Sequence, residues 1–317
     1  MRVLVTGGAG FIGSNLVGEL LEKDWDVRVI DDLSSGRLEN LKDYEGNPKF
    51  KFHKISFCDD VNILFKNIDV VFHVGAIPRV QFSIENPVVS NKINIGGTLN
   101  VLELCRKNDI KRVVFSSSSS VYGDQESLPL KETMIPSPMS PYALQKLVGE
   151  YYCRLYYMLH GVEGISLRYF NVFGMKHDPG GGYANLIPKT VFRVLKKESP
   201  EIYGDGLQTR DFTFVRDVVE ANLLAALTGN KKAFGDFFNI GGGKNYSVND
   251  VVRLIIGDSQ IKLIYKPPVI EPKDTLADIS KVFNVLSWKP KYSFEEGMKE
   301  TLEWFKNKGF SYYNSVI

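Results

Sequence analysis

Tyr142 and Lys146 stand four residues apart in the run Ser140-Pro141-Tyr142-Ala143-Leu144-Gln145-Lys146. On a helix that spacing puts both side chains on one face, so an ammonium can lie beside a phenol. A free phenol titrates near ~10 and is a poor base at neutral pH, but a neighbouring cation lowers that value and suits the group to proton transfer. The same spacing occurs by chance in many chains, where it is an ordinary amphipathic helix pair. What lies upstream gives it weight. Five consecutive serines, Ser116 to Ser120, follow the apolar run Val113-Val114-Phe115. Such serines form either a flexible linker or, directly after a strand, a strand-end loop bordering a ligand crevice. The apolar run before them favours the second.

Val3-Leu4-Val5-Thr6-Gly7-Gly8-Ala9-Gly10-Phe11-Ile12-Gly13 reads as a strand, a glycine turn and the start of a helix. Gly8, Gly10 and Gly13 fit the G-x-G-x-x-G spacing, while Gly7, Gly10 and Gly13 fit a related form with three-residue steps. In either register glycine permits the tight turn and lets backbone N–H groups, those of Phe11 and Ile12 included, approach a pyrophosphate at the helix N-terminus. Asp31 and Asp32 close the second strand-like run. A carboxylate there binds ribose hydroxyls and repels a 2′-phosphate, which favours NAD over NADP. An oxidised nicotinamide would add a second positive charge beside Tyr142.

Strands are expected at Arg2 to Thr6, Asp26 to Ile30, Lys49 to Ile55, Asp69 to Phe72 and Arg112 to Phe115. Helices are expected from the glycine turn to about Lys23, from Asn91 to Asn108 and from Pro141 to His160. This alternation implies an α/β fold with a doubly wound parallel sheet. The pattern loosens after Phe170, where Lys176 to Tyr183 reads as a glycine-rich loop and prolines at 188, 200, 267, 268, 272 and 290 break up the chain. The expected division is a dinucleotide-binding domain over 1–170, with a probable return near 208–242. A smaller substrate lobe takes 171–207 and 243–317.

The 317 residues carry a formal net charge of +2, which gives no reason to expect a nucleic-acid partner. No apolar run approaches the length of a membrane span, and the N-terminus reads as a strand, not a signal peptide. The three cysteines and four histidines show no metal-like spacing, so no metal site is expected and a reducing, cytoplasmic address is. His73 and His177 receive no role. Tyr151, Tyr152, Tyr156 and Tyr157 follow Tyr142 on its helix and read as core or a subunit contact.

These pieces, in this order, resemble the extended short-chain dehydrogenase/reductase family over almost the whole chain. The likeness is greatest to its UDP-glucose and UDP-N-acetylglucosamine 4-epimerases. It rests on the glycine run, Ser118-Ser119-Ser120-Val121-Tyr122-Gly123, Tyr142 with Lys146, and Leu167-Arg168-Tyr169-Phe170-Asn171-Val172-Phe173-Gly174. Gln208-Thr209-Arg210-Asp211-Phe212 and Ala277-Asp278-Ile279-Ser280-Lys281 complete it. The resemblance implies that Tyr142 is the catalytic base and Ser118 a partner of the sugar's 4-oxygen. It also implies that Lys146 holds the nicotinamide ribose, Asn94 lies near the nicotinamide, and Asn171 and Arg210 grip the sugar-nucleotide diphosphate. Thr275 matches the residue bordering the sugar's 2-substituent, where a small side chain admits N-acetyl sugars. The family packs the Tyr142 helix across a subunit interface, so a homodimer through the helices near 91–108 and 141–160 is expected. A plainer reading of Arg210 is an ion pair with Asp211 or Asp217.

The implied activity is 4-epimerisation of a UDP-sugar with tightly bound NAD, on glucose/galactose and on their N-acetylhexosamine counterparts. Three positions depart from the family pattern. Pro268 replaces a second diphosphate arginine, for which Lys266 or Lys273 could substitute, although Glu271 keeps a neighbouring acid. Ser56 replaces an adenine-binding acid, with Asp59 kept, and Gly75-Ala76 replaces an alanine pair. Related dehydratases place an Asp-Glu pair where Ser119 and Ser120 stand, because elimination needs an added acid and base that serines cannot supply. A decarboxylase should present basic groups to a substrate carboxylate, and a catalytically silent NAD sensor should have lost the tyrosine or the lysine.

Overall fold

The computed structural model describes residues 1–180, 185–268 and 271–314. Seven strands form one sheet: β1 (Arg2–Thr6), β2 (Asp26–Asp31), β3 (Phe50–Lys54), β4 (Val70–His73), β5 (Arg112–Ser118), β6 (Glu163–Tyr169) and β7 (Asp236–Ile240). Their order is β3-β2-β1-β4-β5-β6-β7 and every pairing is parallel. The chain winds one way from β1 to β3 and the other way from β4 onward. The switch point therefore lies between β1 and β4, and their carboxyl ends open the crevice where such sheets bind ligands.

Both faces are covered, as the apolar central strands β1 and β4 require. Val3 and Val5 of β1 point to the face packed by α1 (Phe11–Glu22) and by the helix Val215–Leu227. Leu4 points to the other face, packed by α2 (Gly97–Lys107) and α3 (Pro141–His160). A further aromatic core gathers Phe173, Phe212, Phe214, Phe294 and Phe305, with Val191 of the helix Leu186–Leu195 and Val251 of the helix Val248–Ile256.

The bounds of α3 follow from local signals. Ser140 Oγ accepts the Ala143 N–H at 3.2 Å, Pro141 takes the first turn, and Gly161 ends the helix at φ +69°. Two expectations need correction. The serine run is not all loop: β5 continues through Ser118, and Ser119–Tyr122 form a 3-10 turn. Ser116 and Ser117 stay in the strand because Tyr169 and Glu150 receive their hydroxyls inside the protein. The helix expected from Asn91 to Asn108 is broken by a π turn at Lys92–Gly96 before α2 begins. Of the expected loop Lys176 to Tyr183, residues 181–183 lie outside the described residues, and the remainder is neither helix nor strand.

A buried ion pair ties α3 to β6. Arg168 Nη2 meets Glu150 Oε2 at 2.7 Å and its Nε donates to Oε1 at 2.8 Å, with the two side chains 0% and 3% exposed. The guanidinium stacks between Tyr122 and Phe237, 4.7 and 4.0 Å from the ring centres. Glu150→Ala strands a buried cation and is expected to lower the unfolding free energy by about 3–5 kcal/mol in urea titrations, whereas Glu150→Leu with Arg168→Met loses much less. Equal losses would contradict an electrostatic role for the pair.

Candidate active site

The glycine loop is tightest against other backbone at Gly7 and Gly13. Gly7 has φ +67°, and a Cβ there would lie 2.5 Å from the Gly75 Cα at the end of β4. A Cβ on Gly13 would run into the Gly7 carbonyl oxygen, one on Gly8 would lie 2.6 Å from Val29 Cγ1, and one on Gly10 would lie 3.2 Å from the Gly7 carbonyl oxygen. Gly10 sits at the N-cap of α1, and no side chain caps that helix. The backbone N–H groups of Phe11 and Ile12 thus open α1 at its positive end, in a cradle without Cβ atoms that fits a pyrophosphate.

Asp31 ends β2 and is buried. Its Oδ2 accepts the Ala9 N–H at 2.9 Å and its Oδ1 the Leu33 N–H at 2.8 Å, so it fixes the glycine loop. Burial raises its carboxyl above the ordinary value, with those two bonds opposing. Asp32 is exposed and turns the chain by accepting the Ser34 N–H at 2.9 Å.

The π turn delivers Asn94 to the mouth of the crevice. Asn94 Oδ1 accepts the Ile77 N–H at 2.8 Å, while its Nδ2 donates to Ile77 O at 3.1 Å and to Gln145 Oε1 at 2.7 Å. Gln145 in turn donates to Ser90 Oγ at 3.0 Å. Asn94 thereby clamps the loop after β4 to α3 between Tyr142 and Lys146. Neither Gln145 nor Ser90 was singled out from sequence.

Tyr142, Lys146 and Ser118 come together where α3 begins and β5 ends. Lys146 is 4% exposed, and its Nζ donates to the Ser116 carbonyl at 2.7 Å. It lies 5.9 Å from the Tyr142 ring centre and 5.0 Å from that of Phe115. Burial pushes Lys146 down to about 8, with Cys153 and Glu150 opposing the fall. Tyr142 is pushed up to about 12 by burial, with a hydrogen bond from Ser118 pulling the other way. The expected lowering of the phenol is therefore not met by Lys146 alone. The ammonium is engaged by the Ser116 carbonyl, and desolvation outweighs its field. Ser118 Oγ also accepts the Ser120 N–H at 3.2 Å, so it caps the turn as well as facing Tyr142.

Across the crevice, Asn171 Nδ2 donates to Asp211 O at 3.1 Å and approaches Thr275 Oγ1 at 3.5 Å. Thr275 is buried and also accepts the Asp211 N–H at 3.3 Å. Arg210 pairs with Glu271 at 2.9 Å, not with Asp211 or Asp217, and donates to the carbonyls of Thr209 and Lys273 at 2.8 and 3.0 Å. Asp211, read from sequence only as a possible partner of Arg210, instead accepts N–H groups from Gly242 (2.6 Å), Gly243 (3.2 Å) and Ala277 (3.0 Å) through its carboxylate. Lys266 reaches Glu201 at 3.9 Å, and Lys273 is exposed. Ser56 Oγ accepts the Cys58 N–H at 3.2 Å. His73 is a satisfied core residue between Thr6 and Thr98, at 2.7 and 3.0 Å. His177 stacks on Phe11 at 4.0 Å, with Nδ1 buried and without a hydrogen-bond partner among the described residues.

Residues 3–241 match the model of the NAD dependent epimerase/dehydratase family. The chain belongs to this family. A chain from Methanocaldococcus jannaschii that carries the provisional name UDP-glucose 4-epimerase is 43% identical over 312 residues, 96% of this chain and 98% of that one. The UDP-N-acetylglucosamine 4-epimerase of Methanobrevibacter ruminantium M1, solved with UDP-N-acetylmuramic acid, superposes with a TM-score of 0.92 at 39% identity, covering 97% and 98% of the two chains. The UDP-glucuronic acid 4-epimerase of Bacillus cereus, solved with UDP-glucuronic acid and NAD, gives 0.89 at 32%, covering 96% and 99%. The family uses NAD, and the glycine cradle fits it.

Burial raises Asp211 to about 6 from 3.8, with its three backbone bonds opposing. Between those two values the folded protein keeps a proton that the unfolded chain releases, so this group adds stability as pH falls through that window. Asp211→Asn is expected to remove that share of the pH dependence in urea unfolding. An unchanged slope would contradict the assignment.

Proposed function

We propose that this enzyme is a UDP-hexose 4-epimerase that oxidises C4 of its sugar transiently and then reduces it from the opposite face. The observation that carries this reading is the grouping of Ser118, Tyr142 and Lys146 with only hydroxyls, Ser119 and Ser120, beside them. A phenol and a cation suffice to move one proton, whereas elimination of water needs a further acid and base. NAD, when bound, takes up hydride from C4 and gives it back, so no net redox occurs.

Tyr142 removes the C4 hydroxyl proton and returns it, and Ser118 hydrogen-bonds the same oxygen. Lys146 holds the nicotinamide ribose. With oxidised cofactor beside it, Tyr142 gains the positive field that Lys146 alone does not supply. Gly7, Gly10, Gly13 and the Phe11 and Ile12 N–H groups hold the pyrophosphate. Asp31 and Asp32 serve the adenosine ribose, and Asn94 shapes the nicotinamide pocket through Ile77. Asn171 and Arg210 take the substrate diphosphate, Arg210 exchanging Glu271 for phosphate oxygens.

Thr275 leaves room at the sugar's 2-position, which supports action on UDP-GlcNAc/UDP-GalNAc as well as UDP-glucose/UDP-galactose. The reading includes a cytoplasmic enzyme, with a cofactor domain over 1–170 and 208–242 and a substrate lobe from the rest. It also includes a homodimer through α3, whose outer face exposes Leu144, Tyr151, Leu155, Met158 and Leu159. Val80, Ile84, Val88 and Val89 extend this apolar surface on the chain before α2, and α2 itself adds no exposed large apolar side chain. Leu155→Glu is expected to shift sedimentation from dimer to monomer; a wild-type monomer would rule the dimer out.

The enzyme should convert UDP-galactose to UDP-glucose, and Tyr142→Phe should cut turnover at least ~100-fold. Normal turnover in that variant would remove Tyr142 from the mechanism. Thr275→Tyr should abolish conversion of the N-acetyl pair while sparing the plain hexoses, and N-acetyl activity that survives would refute the role of Thr275.

A further inference from the structure

Four consecutive residues, 175–178, each hold the part of the chain that builds the glycine cradle. Asn15 Nδ2 donates to the Met175 carbonyl at 3.0 Å. Lys176 Nζ donates to the Asn40 carbonyl at 2.8 Å and to the Tyr44 hydroxyl at 3.1 Å. His177 lies flat on the Phe11 ring, with 4.0 Å between centres and 9° between planes. Asp178 Oδ2 accepts from Arg37 Nε and Nη2 at 3.2 and 3.0 Å, while its Oδ1 accepts the Gly180 N–H at 2.8 Å. The segment leaves the buried Phe173 and Gly174 and is tied down at every step.

Its anchors border the cradle from one end to the other. Phe11 is the first residue of α1, whose N–H groups open toward a pyrophosphate, and Asn15 stands one turn further on. Arg37 lies at the ribose end. Its N–H donates to the Ala9 carbonyl at 3.0 Å, and a Cβ on the preceding Gly36 would lie 2.8 Å from Asp31 Oδ2. Asn40 Nδ2 donates to the same Ala9 carbonyl at 2.9 Å. The segment therefore runs alongside the cradle from α1 to the acid that closes β2. Each of its contacts joins two protein groups, so each opposes entry and exit of a dinucleotide equally.

We propose that residues 175–178 are a strap that retains NAD kinetically, and that the dinucleotide passes only when the Arg37–Asp178 pair and the His177–Phe11 stack have parted. The pair is the strongest of these ties, a two-point charge-assisted contact between side chains 20% and 25% exposed. The stack adds an aromatic contact beside it. The proposal concerns the cofactor and not the sugar, so it stands or falls apart from the epimerase reading.

The test follows release of radiolabelled NAD from the holoenzyme into excess unlabelled NAD, with equilibrium dialysis of the same preparation for the dissociation constant. Asp178→Asn, which keeps the Gly180 contact, and Arg37→Met should each speed release about 10-fold, the scale of a lost charge-assisted bond. The dissociation constant should move less than about 3-fold, because the barrier falls in both directions. The double variant should release NAD no faster than the faster single one, since both remove the same tie. Melting temperatures, read alongside, show that the variants are folded. Should Arg37→Met fail to fold, His177→Ala, which removes the stack, takes its place and should speed release likewise. Unchanged release overturns the proposal. So does a dissociation constant that weakens in step with release, which would make these residues ligands of the cofactor. A double variant that multiplies the two single effects overturns it too.

Discussion

Lys146 carries its charge inside the protein, donating to the Ser116 carbonyl and lying beside the face of Phe115. Desolvation drives its ammonium toward neutrality, and the Glu150 carboxylate one turn further along α3 resists that drift. Glu150 is held in place by Arg168 and Ser117, and Arg168 by the rings of Tyr122 and Phe237. The crossing of α3 over β5 and β6 is thus set by a chain of buried polar contacts, and Tyr142 is fixed one turn before Lys146 as a consequence. In the protein alone this geometry raises the phenol. On the proposed mechanism, acid–base chemistry at Tyr142 then depends on the positive charge of the oxidised cofactor, which would couple proton transfer to cofactor state.

The opposite wall is organised by N–H groups converging on carboxylates. Asp211 gathers the chain at Gly242, Gly243 and Ala277, and through its backbone orders Asn171 and Thr275. Asp31 does the same for the glycine loop. The segment after Gly174 reaches back across α1, where Met175 O accepts from Asn15 at 3.0 Å and His177 stacks on Phe11. Lys176 donates to Asn40 O at 2.8 Å, and Arg37 pairs with Asp178 at 3.0 Å. Both walls are therefore joined around the glycine cradle.

Legibility in the sequence followed how local each signal was. Helix α3 was readable to the residue because Ser140, Pro141 and Gly161 mark its ends. The parallel sheet was readable because its central strands β1 and β4 are largely apolar and the strands alternate with helices. The close approach at Gly7 was not, since it depends on Gly75, far along the chain. The serine run was misread in part because the partners that hold Ser116 and Ser117 in the strand, Tyr169 and Glu150, arrive from α3 and β6. The π turn left no mark, as its apolar pattern is also that of a plain helix. The plainer reading of Arg210, a pair with Asp211 or Asp217, is not met because Glu271 takes that place, while Asp211 found backbone N–H groups from segments that sequence cannot bring together.

The most direct test of the account is the fate of hydrogen at C4. UDP-galactose deuterated at that carbon should give UDP-glucose with the deuterium still on C4 and none released to water, because removal and return occur within one closed site. Loss of the label to solvent, or solvent deuterium entering a carbon of the product, would contradict transient oxidation at C4.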